Sequence, residues 1–192
     1  MKLQRQLFTE IAIRNRVAEL ARCLSSEYTK TGVTEVVALV VLKGAFVFAA
    51  DLIRQMFVSV RVEFVQVRSY EDATSPQHAP SVQYLFNSSI FSGKHLLIIE
   101  DIVDSGNTLV ALLDSLPIEP PFFPLSLKVC ALLEKEVFRE GVLDGFHWLM
   151  ENHYHVGFRI PNEFVVGYGL DHAGLYRDLA DIRVLEGEEN AS

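Results

Sequence analysis

Apolar residues recur along this chain in two patterns, the spacing of amphipathic helices and the unbroken runs of buried strands. Between residues 13 and 24 they recur every three or four positions, and Thr9 precedes them as a candidate helix cap. Two later segments have the same spacing, and their apolar positions are Phe46, Ala49, Ala50, Ile53 and Phe57, and then Leu109, Leu112, Leu113 and Leu116. Three helices are therefore predicted, and Pro117 ends the third.

Strand-like segments alternate with these helices. Residues 36–42 and 96–99 are continuous apolar runs, which are typical of strands that helices cover on both faces. Residues 60–67 begin with an apolar and charged alternation that predicts a half-exposed strand. Shorter strands are predicted at 129–133, 164–166 and 183–185. This order predicts an α/β protein with a mostly parallel twisted sheet flanked by helices.

Residues 68–91 follow neither pattern. They are polar and contain proline, apart from a short apolar interval at 82–86. We predict a long mobile loop, and such loops often act as lids. Because no repeat, low-complexity tract or linker divides the 192 residues, we predict a single domain over 1–192. The acidic residues 186–192 are expected to form a frayed tail.

Composition and charge restrict the partners and the location. The 17 basic and 25 acidic residues give a net charge of −8, which repels a phosphate backbone and argues against nucleic-acid binding. Polar residues near the amino end interrupt any signal peptide or membrane span, so we expect a cytoplasmic protein without a membrane partner. Cys23 and Cys130 lie far apart among apolar neighbours, which favours buried free thiols over a disulfide.

The segment richest in chemistry joins carboxylates to an anion-binding turn. Glu100 and Asp101 follow a predicted strand, at the end where ligands bind in open α/β sheets. After Asp104, small residues lead into a helix whose N–H groups and positive end suit a phosphate, and these residues are Ser105, Gly106, Asn107 and Thr108. Since carboxylates repel a bare phosphate, the combination indicates a sugar phosphate with Mg²⁺. Capping of the helix start is the alternative role for Asp101 and Asp104.

This segment resembles the ribose-phosphate-binding signature of type I phosphoribosyltransferases. That signature consists of an apolar strand, two acidic residues, two apolar residues, and then Asp-Ser/Thr-Gly and a Thr. The resemblance implies the type I fold, with a small hood built partly from 1–30 and 155–192. It also implies that Glu100 and Asp101 bind the ribose hydroxyls, directly or through Mg²⁺, and that the Ser105 to Thr108 turn anchors the 5-phosphate. Asp104 is our candidate for the group that accepts the purine proton.

Two further segments resemble loops of one branch, the hypoxanthine-guanine phosphoribosyltransferases. Lys43-Gly44 resembles the loop in which the Lys-Gly peptide is cis and presents its backbone to pyrophosphate. Ser69-Tyr70 resembles the pair in the flexible catalytic loop, at about 68–91, that closes over the reacting centre and excludes water. Residues 74–76, Thr-Ser-Pro, depart from the Ser-Thr-Gly that the family tends to have there.

The purine site is implied by two more resemblances. Lys135 follows a strand and resembles the lysine of the family that donates to the six-position oxygen of an oxopurine. Adenine carries an amino group at that position, so two hydrogen-bond donors would face each other. Residues 156–171 and 176–179 resemble the carboxyl-terminal signature of the branch. They imply that Phe164 stacks on the purine, Val165 reads its edge through the backbone, Asp171 borders it and helps hold Mg²⁺, and Arg177 meets pyrophosphate.

These resemblances together imply a magnesium-dependent purine salvage enzyme. It would transfer the phosphoribosyl group of 5-phosphoribosyl 1-pyrophosphate to hypoxanthine or guanine, giving IMP or GMP, as a homodimer or homotetramer. A xanthine-preferring or broad oxopurine transferase stays open, because one sequence does not fix the groups that face the two-position of the purine. A regulatory protein that senses the phosphoribosyl donor is a second alternative, but the sequence has neither an added helix-turn-helix nor a positive charge balance.

A zinc site is the remaining possibility that the sequence raises. His153 and His155 are two residues apart and could share one face of a strand. No Cys or carboxylate cluster near them along the chain completes such a site, and Trp148 and Tyr154 favour packing. We therefore expect no zinc here.

Overall fold

The computed structural model describes residues 3–68, 81–85, 88–116, 124–137 and 153–185. The strands in chain order are β1 (Leu3–Phe8), β2 (Glu35–Leu42), β3 (Ser59–Arg68), β4 (Ser81–Tyr84), β5 (His95–Val103), β6 (Ser126–Lys135), β7 (Tyr154–Ile160), β8 (Val165–Val166) and β9 (Ile182–Leu185). The helices are α1 (Glu10–Lys30), α2 (Phe46–Ile53) and α3 (Asn107–Ser115), and a 3-10 turn covers Ser88–Phe91.

The strands form two sheets. Six of them pair in the order β4-β3-β2-β5-β6-β7, and every neighbouring pair is parallel except β3 with the edge strand β4. The mostly parallel sheet expected from the sequence is thus confirmed. The other three strands form a small antiparallel sheet in the order β1-β9-β8, which joins the amino-terminal segment to the carboxyl-terminal one.

Separate cores cover the two faces of the large sheet. Alternate residues of a strand point to opposite faces, so β2 contributes to both cores. Its residues Val36, Ala38 and Val40 pack with buried residues of α1 and α2. Val37 and Leu39 pack on the other face, with buried residues of α3. Burial on both faces explains why this strand is a continuous apolar run.

The first helix agrees with its prediction, whereas the second does so only in part. The hydroxyl of Thr9 accepts a hydrogen bond from the N–H of Ala12 at 3.2 Å, as expected of the cap of α1. In α2 the buried residues are Phe48, Ala49 and Leu52. Of the predicted apolar face, Ala49 is buried and Ile53 packs against the core, but Phe46 and Phe57 are 45% and 77% exposed, so that face is confirmed only in part. Because residues 46–50 are all apolar, helical spacing fits more than one face there.

Three strands were absent from the sequence prediction, and each depends on pairing across the fold. β4 lies in the segment predicted to be loop, where Val82 pairs with Val67 of β3 and satisfies the backbone. β1 pairs with β9, and β7 pairs with β6. Residues 69–80 lie outside the described residues, so the lid remains a prediction. The predicted tail, 186–192, also lies outside them.

Polar contacts reinforce the small sheet. Arg5 of β1 donates to the carboxylate of Glu163, just before β8, at 2.8 Å, and Gln6 donates to Asp181, just before β9. These contacts tie the first described residues to the last ones. Among the described helices, none has the length and apolar character needed to cross a bilayer.

A matched pair of substitutions tests the orientation of α1. Ile13→Ala should lower the free energy of unfolding by about 2 to 5 kcal/mol, because Ile13 is 1% exposed in the core. Ile11→Ala should change it by less than about 0.5 kcal/mol, because Ile11 is 66% exposed. Urea unfolding followed by circular dichroism measures both values. Equal losses would show that α1 packs through another face.

Candidate active site

Three adjacent strands bring candidate residues to one edge of the large sheet. The strands β2, β5 and β6 are parallel neighbours, so their carboxyl ends lie side by side. Lys43 follows the end of β2, Glu100 and Asp101 lie near the end of β5, and Lys135 is the last residue of β6. We call this edge the strand-end site.

Close backbone packing holds the loop after β2 against the carboxylates. A Cβ atom added to Gly44 would overlap the carboxylate of Asp101, and one added to Gly169 would overlap the carbonyl oxygen of Gly44. The cis peptide of this loop joins Leu42 to Lys43. The prediction that it joins Lys43 to Gly44 was wrong by one bond, because the motif marks the turn without fixing which of two successive peptides is cis.

Glu100 is the buried carboxylate of the strand-end site. Its side chain is buried, at 4% exposure, and its Oε1 accepts a hydrogen bond from the N–H of Asp101 at 3.3 Å. Its Oε2 has no hydrogen-bond partner among the described residues. Burial raises the pKa of Glu100 well above its ordinary value, and the neighbouring Asp101 carboxylate raises it further.

A cavity of about 210 Å³ opens where β5 turns into α3. Its lining consists of Glu100, Asp101, Ile102, Val103, Asp104, Ser105, Gly106, Thr108 and Leu109. Gly106 caps α3 with φ +88°, a conformation that favours glycine, and Asn107 begins the helix. Asn107 is not among the lining residues, although its N–H faces the hydroxyl of Ser105 at 3.5 Å. The cavity therefore lies at the positive end of a helix, next to two carboxylates.

Asp104 and Lys135 form an ion pair across the strand-end site. Lys135 Nζ lies 2.6 Å from Asp104 Oδ2. The Lys135 side chain is 11% exposed and that of Asp104 is 52% exposed, so the pair lies at the mouth of the site. The two residues predicted to handle the purine are thus already in contact.

The carboxyl-terminal candidates form a second group. Arg177 lies 2.6 Å from Asp171 Oδ1 and also donates to the carbonyl oxygen of Gly169 at 2.6 Å. Contacts through Gly169 and Gly44 link this pair to Asp101. The ring of Phe164 packs edge-on against His172 with centroids 5.4 Å apart, and Val165 is buried in β8.

The remaining predictions fall outside the strand-end site. Ser69 and Tyr70 lie outside the described residues.

A larger cavity of about 820 Å³ lies between α1, α2 and the segment after Gly169, and Arg177 is part of its lining. On its wall the hydroxyl of Tyr168 donates to Asp51 Oδ2 at 2.6 Å. No local pattern in the sequence indicates this contact, because 117 residues separate the partners.

The structure corrects the prediction for one of the two cysteines. Cys130 is buried as expected, but Cys23 is exposed. No Cys or carboxylate cluster adjoins His153 and His155 along the chain. In space, however, Cys23 and Glu27 of α1 come close to His155 of β7.

Comparison with known proteins places this site in a family. A family model described as the phosphoribosyl transferase domain matches residues 8–172, and the chain belongs to that family. The resemblance drawn from the Glu100 to Thr108 segment is therefore confirmed.

The similar proteins belong to one branch of this family. The hypoxanthine phosphoribosyltransferase of Haemophilus influenzae is 37% identical over 95% of this chain and 96% of its own length. The hypoxanthine-guanine phosphoribosyltransferase of Mycobacterium tuberculosis is 39% identical over 94% of this chain and 85% of its own length. These matches confirm the predicted branch.

Solved structures agree with the fold. A crystal structure of a hypoxanthine-guanine phosphoribosyltransferase from Bacillus anthracis has a TM-score of 0.78 at 34% identity, covering 96% of this chain and 99% of that one. A hypoxanthine phosphoribosyl transferase from Trypanosoma cruzi has a TM-score of 0.79 at 37% identity, covering 95% and 91%. The type I phosphoribosyltransferase fold is thus confirmed.

Burial of Glu100 predicts an unusual pH dependence of stability. The pKa of a glutamate in the unfolded chain is about 4.3. When the folded state raises this pKa, the free energy of unfolding falls as pH rises from the unfolded pKa through the folded one. Glu100→Gln removes this loss. The melting temperature of the variant, relative to that of the wild type, should therefore show a gain as pH rises from 4 to 8. Thermal unfolding in metal-free buffer measures the gain. Asp114→Asn, at an exposed acid of α3, should show none, and a Glu100→Gln difference independent of pH would contradict the prediction.

Proposed function

We propose that this protein is a magnesium-dependent purine salvage enzyme. It transfers the 5-phosphoribosyl group of 5-phosphoribosyl 1-pyrophosphate to hypoxanthine or guanine, giving IMP or GMP and pyrophosphate. The observation that carries the proposal is the junction of two adjacent carboxylates with a helix-end cavity in the Glu100 to Thr108 segment. The names of the similar proteins from Haemophilus influenzae and Mycobacterium tuberculosis support the choice of purine.

The helix-end cavity would anchor the donor. The N–H groups at the start of α3, with Ser105 and Thr108, would bind the 5-phosphate, and Gly106 allows the backbone to approach it closely. Asn107 would contribute through its backbone. Glu100 and Asp101 would bind the ribose hydroxyls. Such binding remote from the reacting carbon converts affinity for the phosphate into orientation of the sugar.

The carboxylates also fit Mg²⁺. Glu100 Oε2 is buried without a partner among the described residues, and oxygen ligands are those that Mg²⁺ prefers. Glu100 and Asp101 would hold the ion, with Asp171 as a further ligand in the proposal. Bound Mg²⁺ would neutralise charge on the departing pyrophosphate. A cation bound there would offset the energetic cost of two adjacent carboxylates, one of them buried.

The loop after β2 and Arg177 would hold the leaving group. Gly44 packs against Asp101, and the backbone of Lys43 and Gly44 would bind the pyrophosphate beside this carboxylate. Arg177 is held near that loop by its hydrogen bond to Gly169. A guanidinium fork binds a diphosphate through paired N–H groups, and here it would stabilise charge as it develops on the leaving oxygen.

The purine would bind between the Lys135 ammonium and the ring of Phe164. Lys135 would donate to the six-position oxygen, Phe164 would stack on the purine face, and the backbone of Val165 would read its edge. The Asp104–Lys135 ion pair would separate when the base enters. Asp104 would then accept the proton from the five-membered ring. Ser69 and Tyr70 would close over the sugar and exclude water.

The other parts of the proposal rest on the family. A homodimer or homotetramer is proposed, and the structural study of the Trypanosoma cruzi enzyme concerned its oligomeric state. A cytoplasmic location is proposed because a salvage enzyme acts on small metabolites inside the cell. The xanthine-preferring and regulatory alternatives are not favoured, because the similar proteins are named for hypoxanthine and guanine transfer.

A pyrophosphate-release assay with four purines tests the function. With Mg²⁺ and the phosphoribosyl donor, hypoxanthine and guanine should give rapid release, and kcat/KM for adenine should be at least about 100-fold lower. Removal of Mg²⁺ with a chelator should abolish release. Xanthine rates that exceed both others would favour the xanthine alternative. Adenine use without oxopurine use would contradict the role of Lys135, and no release with any purine would contradict the salvage function.

Substitution of Asp104 separates chemistry from binding. Asp104→Asn should lower kcat about 10²- to 10⁴-fold, because the amide cannot accept the purine proton. The KM for the phosphoribosyl donor should change little, since the cavity and its helix end remain. Steady-state kinetics with each substrate varied measures both values, and Asp114→Asn is the matched control. Comparable losses in turnover and donor binding would show that Asp104 is structural.

A further inference from the structure

A second cluster of reactive side chains lies away from the strand-end site. Cys23 and Glu27 are four residues apart on α1, so they share one face of that helix. His155 lies near the start of β7, where it pairs with Cys130 of β6. Because Lys135 is five residues further along β6, the two sites are separated by about 16 Å of strand.

The spacing of the three side chains suits one metal ion. Cys23 Sγ lies 3.5 Å from Glu27 Oε1 and 4.0 Å from His155 Nδ1. One ligand atom from each residue lies within 4.8 Å of the others. Ligands of a tetrahedral zinc ion, with bonds of 2.0 to 2.3 Å, lie about 3.6 Å apart. We propose that Cys23, Glu27 and His155 bind a divalent transition-metal ion of the zinc class.

Two neighbouring cations fix the ligands in place. Lys128 Nζ lies 2.6 Å from Glu27 Oε2, so Oε1 remains directed toward Cys23. Arg16 donates to the carbonyl oxygens of Val156 and Gly157 at 2.9 and 2.7 Å, which joins α1 to β7 beside His155. Partners that orient the ligands raise the affinity of metal sites.

The three candidate ligands differ in protonation before a metal binds. Burial lowers the pKa of His155, which leaves the imidazole neutral and able to coordinate. Burial opposes ionisation of Glu27, but its hydrogen bond to Lys128 brings its pKa below the ordinary value. Burial and Glu27 raise the pKa of the Cys23 thiol, so the thiol must lose its proton before it can bind a metal.

Binding of the metal therefore releases the thiol proton. The thiolate forms the bond to the metal, and the proton passes to solvent, so affinity should increase with pH. The imidazole and the carboxylate bind without losing a proton. Three protein ligands leave one position for water, the arrangement of an open zinc site. The proposal does not depend on the purine salvage function.

Cobalt and zinc titrations of the whole protein test this site. One equivalent of Co²⁺ should give the near-ultraviolet absorption of a cobalt thiolate, and Zn²⁺ should displace it. Competition with a chromophoric chelator should show that Cys23→Ala and His155→Gln each weaken Zn²⁺ binding at least about tenfold. The affinity of the wild type should rise between pH 6 and pH 8. Transferase activity is not the measured quantity.

Two matched variants locate the site. Cys130→Ala removes the buried cysteine, and Glu100→Gln alters the carboxylate pair, so both should retain the cobalt absorption and the zinc affinity. Circular dichroism confirms the fold of each variant. The proposal is wrong if no stoichiometric Co²⁺ or Zn²⁺ binding is found, if Cys23→Ala retains it, or if Glu100→Gln abolishes it. Rapid alkylation of Cys23 that Zn²⁺ does not slow would likewise overturn it.

Discussion

The contact between Gly44 and Asp101 is the constraint that organises the strand-end site. No side chain fits between them, and Gly169 meets the other side of the Gly44 backbone with equally little space. Three segments that are distant in sequence therefore meet at positions where only glycine fits. This packing places the backbone of Gly44 next to the carboxylate of Asp101. The glycines at these positions serve the approach of one segment to another.

The same edge contains two carboxylate subsites, one paired with a cation and one not. Asp104 is balanced by Lys135 in the ligand-free protein. Glu100 is buried beside Asp101, and its Oε2 lacks a partner among the described residues. Such an arrangement lowers the stability of the folded state, and proteins retain it where binding requires it. The Asp104–Lys135 pair would bind a neutral base, whereas the Glu100–Asp101 pair would attract a cation together with its anionic substrate.

Local pattern predicted those parts of the fold that depend on local sequence. The cap at Thr9, the buried run of β2 and the Glu100 to Thr108 turn all carry their signal within a few residues. Pairing across the fold leaves no such local signal, because β1 is a strand only opposite β9. The proximity of Cys23 to His155, 132 residues apart, arises from packing of α1 against β7. No periodicity in either segment indicates that contact.

The two sheets carry different parts of the candidate site. The carboxylates and the helix-end cavity belong to the six-stranded sheet, whereas Val165 lies in the three-stranded one, with Phe164 just before it. The short strands β1, β8 and β9 thus hold Phe164 and Val165 on a sheet that is not hydrogen-bonded to the strands carrying Glu100, Asp101 and Lys135. A substitution in the small sheet can therefore shift Phe164 and Val165 while the pairing of β5 with β6 stays intact.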